Sequence, residues 1–277
     1  MAATLYLVST PIGNLEDITL RALRILREEV SRIACEDTRQ TKKLLEHYQI
    51  RKPLVSYHEH NEASRTAELL TRLESGESVA LLSDAGTPLV SDPGYRLVQA
   101  AIAHRIPVVP LPGASAALSA LIASGLPCDE FRFIGFLPPK QHARRKLLDT
   151  LRSEPATTIA YESPHRILDS LADIAEVLGP RPVVVARELT KLYEELLRGN
   201  AASILAELKA RNSVKGEITL VIGGGQNEIP ANVDPVQEVA RLQSEEGLER
   251  MEAIKTVAKL LGLPKREVYR LVEEEQG

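Results

Sequence analysis

The sequence predicts an α/β protein built from two α/β domains, with a parallel sheet in the first, a mixed sheet in the second, and a small helical tail. Short apolar runs alternate with stretches of helical periodicity along most of the chain. Strands separated by helices of about 10–15 residues are typical of parallel βαβ units. A chain of 277 residues is long enough for two domains. We expect them at 1–114 and 115–226, with the tail at 233–277.

Five apolar runs predict the strands of the first domain, and four of them lead into turns of small or polar residues. Ligands of an open parallel sheet bind beyond the carboxyl ends of its strands. The turns are therefore candidate binding loops. The five runs are Leu5–Val8, Arg32–Cys35, Leu54–Tyr57, Val79–Leu82 and Val108–Leu111. The four turns are Ser9–Asn14, Glu36–Arg39, Ser83–Pro88 and Pro112–Ala116.

The second domain has fewer glycine-rich turns after its strands, which favours a mixed sheet. Its predicted strands are Phe131–Phe136, Thr157–Tyr161, Val183–Ala186 and Ile218–Ile222. A linker is expected at 226–232.

The tail ends in two predicted helices that flank Gly262–Pro264 and resemble a helix-turn-helix, with Lys265, Arg266 and Arg270 on the second. We favour a helical hairpin packed on the body, because such patterns often arise by coincidence. No DNA partner is expected.

The composition is that of a soluble protein without a membrane span or a disulfide framework. No apolar run approaches the ~20 residues that cross a bilayer. The N-terminus has no basic region typical of a signal peptide, and the two cysteines, Cys35 and Cys128, fit a reduced cytoplasm. With a net charge of −4 and 4% aromatic residues, any nucleic-acid site must be a local patch.

The candidate loops predict a site for a small polar cofactor with hydroxyl groups. Asp84 follows a buried strand, where a carboxylate can accept hydrogen bonds from hydroxyls or an amine, or simply cap its own turn. The chain lacks a P-loop and has one glycine, Gly13, where the dinucleotide fingerprint needs three, which disfavours ATP and NAD. His58, His60 and Glu62 lack further ligands nearby in sequence, so we expect a polar loop at the substrate cleft and no metal.

Further charged segments have a structural and a functional interpretation. The stretch 140–146 is strongly basic and could bind phosphates together with Arg132, or it could be a solvated helix face. The segments Tyr161–Arg166 and Arg187–Lys191 follow strands, and each could face the cleft or begin a helix.

Taken together, nine segments resemble the family of ribosomal RNA small subunit methyltransferases I, within the tetrapyrrole-methylase-like class of S-adenosylmethionine-dependent enzymes. The similarity runs from about Leu5 to Ile222, and the tail resembles an extension of that family. The segments are Thr10–Leu15, Glu36–Arg39, Ser83–Pro88, Asp92–Gly94, Pro110–Gly113, Gly135–Pro138, Tyr161–Arg166, Arg187–Lys191 and Lys215–Glu217.

The resemblance implies that a methyl group passes from S-adenosylmethionine to the ribose 2′-hydroxyl of a cytidine in the decoding region of 16S rRNA. It also implies a homodimer and a cofactor cleft between the two α/β domains. The cofactor-binding candidates that it implies are Pro11, Asp84, Thr87, Leu89, Ser115, Ala116, Tyr161, Leu189 and Thr219. The RNA-binding candidates are Arg132, Lys140, Arg144, Arg145 and Lys146.

The attacking hydroxyl must lose a proton, and Glu36, Asp37 or His165 could accept it. Arg39 would hold a phosphate or orient a carboxylate. Positioning alone could also suffice, with water as the acceptor. Two other functions stay open: methylation of a small molecule such as a tetrapyrrole, and a non-catalytic module that binds RNA or protein.

Overall fold

The computed structural model describes residues 3–225, 234–245, 247–261 and 263–274. They form two compact units, one of residues 1–152 with 156–223 and one of residues 153–155 with 224–277. The predicted linker at 226–232 and the predicted turn residue Gly262 lie outside the described residues. Among the described residues, no helix is long and apolar enough to cross a membrane.

The first sheet is parallel throughout, as predicted. Its strands run in the order β3-β2-β4-β1-β5, so the central strand β4 and its neighbour β1 lead into the Ser83 and Ser9 turns. The strands are β1 (Leu5–Val8), β2 (Arg32–Cys35), β3 (Leu54–Ser56), β4 (Val79–Leu82) and β5 (Val108–Leu111).

Two pairs of helices cover the faces of this sheet. Apolar side chains of α1 and α2 form one core with it, and those of α3 and α4 form the other. A short 3-10 turn at Leu15–Asp17 precedes α1, which Thr19 caps by accepting a hydrogen bond from the Ala22 N–H. The helices are α1 (Leu20–Glu28), α2 (Thr38–His47), α3 (Glu62–Glu74) and α4 (Tyr95–Ala103).

The second sheet is mixed, which confirms the predicted fold class. In its order β6-β7-β10-β8-β9, only β6 and β7 are parallel. Its strands are β6 (Phe131–Phe136), β7 (Thr157–Glu162), β8 (Pro182–Arg187), β9 (Glu195–Asn200) and β10 (Ile218–Ile222). Its helices are α5 (Ala116–Ser124), α6 (Gln141–Thr150), α7 (Ile167–Leu178) and α8 (Ala201–Lys209).

Strand β9 is absent from the sequence-based expectation, which takes four strands as the complete set. It is an edge strand whose ends carry Glu195 and Asn200, and only Leu196 and Leu197 supply large apolar side chains. Glu195 accepts hydrogen bonds from Arg187 and Arg211. Charged edge strands are common because their charges prevent pairing with other chains. A search for apolar runs does not find such strands, because few of their residues are apolar.

Helix α5 joins the two sheets within the first unit. It follows β5 in the chain but packs against the second sheet, where Ala117, Ala120 and Leu121 meet Val221 of β10. Ile12 from the turn after β1 belongs to the same cluster. The predicted boundary between residues 114 and 115 falls just before this helix and stays a prediction.

The tail is helical, as predicted, with α9 (Pro235–Glu245), α10 (Arg250–Leu261) and α11 (Lys265–Glu274). The three helices share a small core that includes Leu242, Ile254, Val257 and Val268.

A buried ion pair connects α6 and α7. The guanidinium of Arg144 is almost fully buried and lies 2.6 Å from the Asp173 carboxylate. Arg145 and Gln141 donate to the other oxygen of Asp173 at 2.7 and 3.1 Å. Burial alone would raise the pKa of Asp173, but these hydrogen bonds hold it below its usual value. Arg144 therefore has a structural role, which counts against its prediction as an RNA contact.

We expect Asp173→Asn to lower the free energy of unfolding by about 3 kcal/mol, because it leaves a buried guanidinium without its counter-charge. Urea denaturation followed by circular dichroism measures this. The contribution of the carboxylate should be present above pH ~4, the unfolded-state pKa of aspartate, and should disappear as the pH falls further. The control Glu176→Gln removes an exposed partner of Arg145 and should cost less than about 1 kcal/mol. Equal losses in the two variants would contradict the structural role.

Candidate functional site

Three of the four predicted loops are hydrogen bonded to one another at the carboxyl edge of the first sheet. Thr10 and Gly86 exchange both backbone N–H···O bonds, at 2.9 and 3.0 Å. The Ser9 hydroxyl donates to Thr87 Oγ1 at 3.2 Å, and the Thr87 hydroxyl donates to the Ala114 carbonyl at 3.2 Å. The loops after β1, β4 and β5 are therefore held as one rigid surface.

The fourth loop is attached through Asp84. The Asp37 N–H donates to Asp84 Oδ1 at 2.9 Å. Asp37 also caps α2 by accepting from the Arg39 N–H at 2.8 Å, and its carboxylate binds the Arg39 guanidinium at 2.7 Å. Hydrogen bonds from Arg39 lower the pKa of Asp37 to about 2. Asp37 and Arg39 thus satisfy each other's charge at the edge of the site.

A cavity of about 250 Å³ lies between these loops and the second sheet. Its walls combine apolar side chains with a few polar groups, as is usual for small-molecule sites. The lining residues are Ile12, Asp84, Ala85, Gly86, Thr87, Val90, Ser91, Asp92, Ser115, Ala116, Phe136, Tyr161, Ala186, Leu189, Glu217, Ile218 and Thr219. We refer to it as the central pocket.

Strained backbone borders the central pocket on two sides. Among the described residues, six other than glycine have positive φ, and four of these are Leu89 (71°), Ser91 (69°), Glu188 (52°) and Thr190 (65°). Ser91 lines the pocket, and Glu188 and Thr190 flank the lining residue Leu189. Such strain persists where the surrounding contacts fix the backbone, and it concentrates at ligand sites.

The strained segment 188–191 is fixed by contacts with the first loop and with the start of β10. The Asn14 N–H donates to Thr190 Oγ1 at 3.1 Å. A Cβ on Gly13 would lie 2.3 Å from Lys191 Cγ, so only glycine allows this approach. Lys191 Nζ lies 2.8 Å from both the Glu188 and Glu217 carboxylates.

The central pocket is acidic. Asp84, Asp92 and Glu217 are the charged residues of its lining. Burial, together with the negative charges of Glu36 and Asp84, raises the pKa of Asp92 to about 6. Burial also raises the pKa of Asp84 and of Glu36. Carboxylates held this close to one another favour a ligand that carries positive charge.

Seven of the nine predicted cofactor-binding residues line the central pocket: Asp84, Thr87, Ser115, Ala116, Tyr161, Leu189 and Thr219. Two lie elsewhere. Pro11 is buried, and Leu89 packs against the core beside Leu81 and Leu97. Whether the seven bind a cofactor is a proposal developed below.

Several lining residues are absent from the set of cofactor-binding residues predicted from the sequence. Asp92 belongs to a quoted segment, Asp92–Gly94, but is assigned no role there. Three other lining residues lie at or near the ends of strands that the apolar runs predict, namely Phe136, Ala186 and Ile218. Their position at one edge of the mixed sheet could have identified them as lining residues. Glu217 also belongs to a quoted segment, Lys215–Glu217, but is assigned no role there.

None of the four catalytic candidates lines the central pocket. Asp37 and Arg39 are paired with each other. Glu36 is not a lining residue, but its negative charge raises the pKa of Asp92. His165 is exposed on the turn before α7. In the same segment, Glu162 is buried and paired with Arg166 at 2.8 Å, so this part of the motif stabilises the fold.

The basic candidates divide into two groups. Arg144 and Arg145 are paired with Asp173, and Arg145 also binds Glu176. Arg132, Lys140 and Lys146 are exposed. Lys140 precedes α6 and lies four residues after Phe136, a lining residue whose side chain is 56% exposed. The basic segment therefore begins close to the pocket entrance.

The histidines of the loop after β3 show no metal-binding arrangement. His58 and His60 stack edge to face with ring centroids 5.9 Å apart, and His58 Nε2 lies 3.2 Å from Asn61 Nδ2. In the part of the chain that the structure describes, no three His, Cys, Asp or Glu residues are grouped to hold a metal ion.

Comparison with known proteins places the chain among methylases. Residues 4–205 match the family model described as Tetrapyrrole (Corrin/Porphyrin) Methylases. The chain is 50% identical to the Ribosomal RNA small subunit methyltransferase I of Halalkalibacterium halodurans, over 98% of this chain and 95% of the relative. It is 47% identical to the protein of the same name from Escherichia coli O157:H7, over 99% of this chain and 96% of the relative.

A solved structure shares the fold. The uroporphyrin-III C-methyltransferase of Thermus thermophilus, complexed with S-adenosyl homocysteine, superposes with a TM-score of 0.54 at 20% identity. The match covers 80% of this chain and 97% of that chain. The predicted relationship and the predicted fold class are both confirmed.

Proposed function

Because the chain belongs to the tetrapyrrole methylase family, we propose that its central pocket binds S-adenosylmethionine for methylation of small-subunit ribosomal RNA. The observation that carries the proposal is the acidic pocket at the carboxyl ends of the first sheet. The names of the two relatives that match nearly the whole chain support the substrate. The finer assignment is to a cytidine 2′-hydroxyl in the decoding region of 16S rRNA, which the sequence resemblance implies.

The lining of the central pocket fits this cofactor chemically. S-adenosylmethionine carries a positively charged sulfonium and an ammonium, and Asp84 and Glu217 supply negative charge. Its adenine needs an apolar surface, which Ile12, Leu189 and Ile218 would provide. Among the polar lining residues, Thr87 and Ser115 offer hydroxyls, and the N-terminus of α5 offers backbone N–H groups near Ala116. These residues with Tyr161 and Thr219 form the proposed cofactor site.

When bound, S-adenosylmethionine supplies a strongly electrophilic methyl group on its sulfonium. The chain mainly positions this group and the attacking hydroxyl in line. Hydrogen bonds among the Ser9, Thr87 and Ala114 loops hold one wall in place. The ion pairs of Lys191 with Glu188 and Glu217 hold the opposite wall. A wall that is fixed before binding loses little conformational freedom when the ligand arrives.

The RNA would approach across the exposed basic residues. Lys140 lies just beyond the Phe136 end of β6, Lys146 extends the positive surface along α6, and Arg132 lies near the opposite end of β6. Phe136 presents an exposed ring at the entrance, and aromatic rings stack on unpaired bases in RNA complexes. Arg144 and Arg145 are left out of this surface because Asp173 and Glu176 neutralise them.

We further propose that the protein is a homodimer. Leu118 and Ile122, one helical turn apart on α5, expose 49% and 77% of their side chains. An apolar face that is repeated on an identical copy suits a two-fold interface. A cytoplasmic location fits the substrate and the free thiols of Cys35 and Cys128.

The decisive experiment is to incubate small ribosomal subunits with the protein and S-adenosylmethionine and then to map ribose methylation on 16S rRNA. Methylation of one cytidine in the decoding region is the expected result. Assembled subunits and naked RNA should be compared in parallel. Methylation of a tetrapyrrole with no modified nucleotide would replace the RNA assignment, since the matching family model is described as that of tetrapyrrole methylases.

We expect Asp84→Asn to weaken S-adenosylmethionine binding at least tenfold, because the variant removes a negative charge from the pocket wall. Isothermal calorimetry at pH 7.5 measures this. Asp129→Asn, which removes a carboxylate from an exposed loop outside the central pocket, should bind as the wild type does. Unchanged binding by Asp84→Asn would contradict the proposed cofactor site.

The double variant Lys140→Ala, Lys146→Ala should bind 16S rRNA about tenfold more weakly, because it removes two phosphate contacts. Its S-adenosylmethionine affinity should stay unchanged. Filter binding at two salt concentrations should also show a shallower salt dependence. The matched control is Lys209→Ala, which removes an exposed lysine of α8; RNA affinity lowered equally by both would argue against a localised basic surface.

Ile122→Glu should convert the proposed dimer to a monomer, because a charge would be buried at the centre of the apolar face. Sedimentation velocity at micromolar concentration gives the mass directly. Ala123→Glu on the same helix is the control for helix propensity. A wild type that sediments as a monomer would contradict the dimer.

A further inference from the structure

We propose that Asp92 is the catalytic residue that accepts the proton of the attacking ribose hydroxyl. The inference rests on the proposed function, since it assumes a hydroxyl nucleophile in the central pocket. It names an acceptor that none of the sequence-based candidates supplies, because Glu36, Asp37, Arg39 and His165 all lie outside the lining.

Asp92 is set into the pocket wall by a loop that is fixed on both sides. Before it, Leu89 and Ser91 adopt left-handed φ angles of 71° and 69°. After it, Gly94 has φ 138°, and a Cβ there would lie 2.6 Å from Leu81 Cδ2. Strain of this kind is maintained only where neighbouring contacts determine the conformation. The loop therefore holds the Asp92 carboxyl at one place in the wall.

The anchor behind the loop is Glu62 at the start of α3. The Gly94 N–H donates to Glu62 Oε1 at 3.1 Å, and the Tyr57 hydroxyl donates to the same oxygen at 3.1 Å. Arg96 lies 3.4 Å from the other oxygen of this carboxylate. Glu62 is thus occupied in fixing the loop, and it is not available for the reaction.

Asp92 differs from the other two carboxylates of the lining in its partners. Asp84 accepts the Asp37 N–H, and Glu217 is paired with Lys191. The contact of Asp92 is with the side chain of Ser83, a hydroxyl that favours the charged form without neutralising it. Asp92 is therefore the lining carboxylate best able to take up a proton.

The charged surroundings of Asp92 prepare it for this role. Burial is the main cause that raises its pKa to about 6, and the negative charges of Glu36 and Asp84 add to it. Tyr161 faces it from β7 and has its own pKa raised by burial and by the Asp92 charge. A base of pKa ~6 is mostly ionised at neutral pH and still binds a proton far better than an ordinary aspartate.

The proposed step is balanced as follows. The ribose 2′-oxygen forms a bond to the methyl carbon, and the carbon–sulfur bond breaks with its electron pair retained on sulfur. The products are the 2′-methoxy nucleotide and neutral S-adenosylhomocysteine. The hydroxyl proton passes to the Asp92 carboxylate and from there to solvent, which regenerates the base.

Single-turnover methylation of small subunits by Asp92→Asn tests the proposal, with S-adenosylmethionine and RNA both saturating. We expect the rate at pH 7.5 to fall at least about 100-fold, the usual contribution of a general base. The wild-type rate should decline as the pH falls below about 6 and Asp92 becomes protonated, because the positive charge of the bound sulfonium holds its pKa at or below the value of about 6 in the cofactor-free protein. The variant should lack this acid limb. Asp129→Asn should retain both the rate and the limb.

Two measurements do not depend on turnover. Calorimetry should give Asp92→Asn an S-adenosylmethionine affinity within about threefold of the wild type, because Asp84 and Glu217 keep the pocket acidic. Infrared difference spectra between wild type and Asp92→Asn, recorded without cofactor from pH 4 to 8, should show one carboxyl titrating near pH 6.

The outcomes separate this inference from the function on which it rests. An active wild type with an Asp92→Asn rate within threefold would overturn the role of Asp92 and leave the proposed function standing. Loss of cofactor binding in Asp92→Asn would overturn it too, since Asp92 would then be a binding residue. A wild type that methylates no RNA would overturn the proposed function and the inference together.

Discussion

The site depends on the backbone pairing of Thr10 with Gly86. This two-bond contact joins the turns after β1 and β4, which are adjacent strands in the middle of the first sheet. Ser9 and Thr87 beside it extend the connection to the loop after β5, and Asp84 extends it to the loop after β2. Four loops that would move independently at the end of the sheet become one surface. A cofactor that has to be aligned to within fractions of an ångström needs a surface of this kind.

The same pairing also determines how the second sheet meets the first. Ile12 lies two residues after Thr10 and packs with α5 against β10 and β8. Gly13 then allows the chain to pass close to Thr190 and Lys191. The first loop therefore contributes to both walls of the central pocket, and the short segment Thr10–Gly13 sets the positions of those walls relative to each other.

Regular elements with apolar patterns could be predicted from the sequence, and so could the loops that follow them. The parallel sheet and its turns are examples, because a buried strand such as Val79–Leu82 is apolar along its whole length. Strand β9 could not be found in this way because its stability comes from pairing with β8 and from the Glu195 ion pairs. The ion pairs join Glu195 to Arg187 and Arg211, which are 8 and 16 positions away in the sequence.

Side-chain roles were harder to predict than elements, because a role depends on partners that are distant in sequence. Arg144 and Arg145 look alike beside Lys146, and only the approach of Asp173, 29 and 28 residues away, removes both from the basic surface. Glu36 and Asp37 formed the more conspicuous acidic pair, yet Asp37 is neutralised by Arg39 two residues on. Asp92 was assigned no role from the sequence, because its neighbours Pro93 and Gly94 indicate an ordinary turn.

Two opposing demands on the pocket explain why a carboxylate with a raised pKa can persist there. A cationic cofactor requires negative charge, and Asp84 and Glu217 provide it, but each is compensated by a fixed partner, the Asp37 N–H or Lys191. Within the part of the chain that the structure describes, Asp92 has no such partner beyond Ser83, so the negative charges of Glu36 and Asp84 raise its pKa. The strained loop from Leu89 to Gly94 keeps this arrangement from relaxing by moving the carboxylate into solvent. Cofactor attraction can thus be assigned to Asp84 and Glu217, whose negative charges are stabilised by a neighbouring N–H or ammonium group. Proton transfer can be assigned to Asp92, whose surroundings raise its pKa.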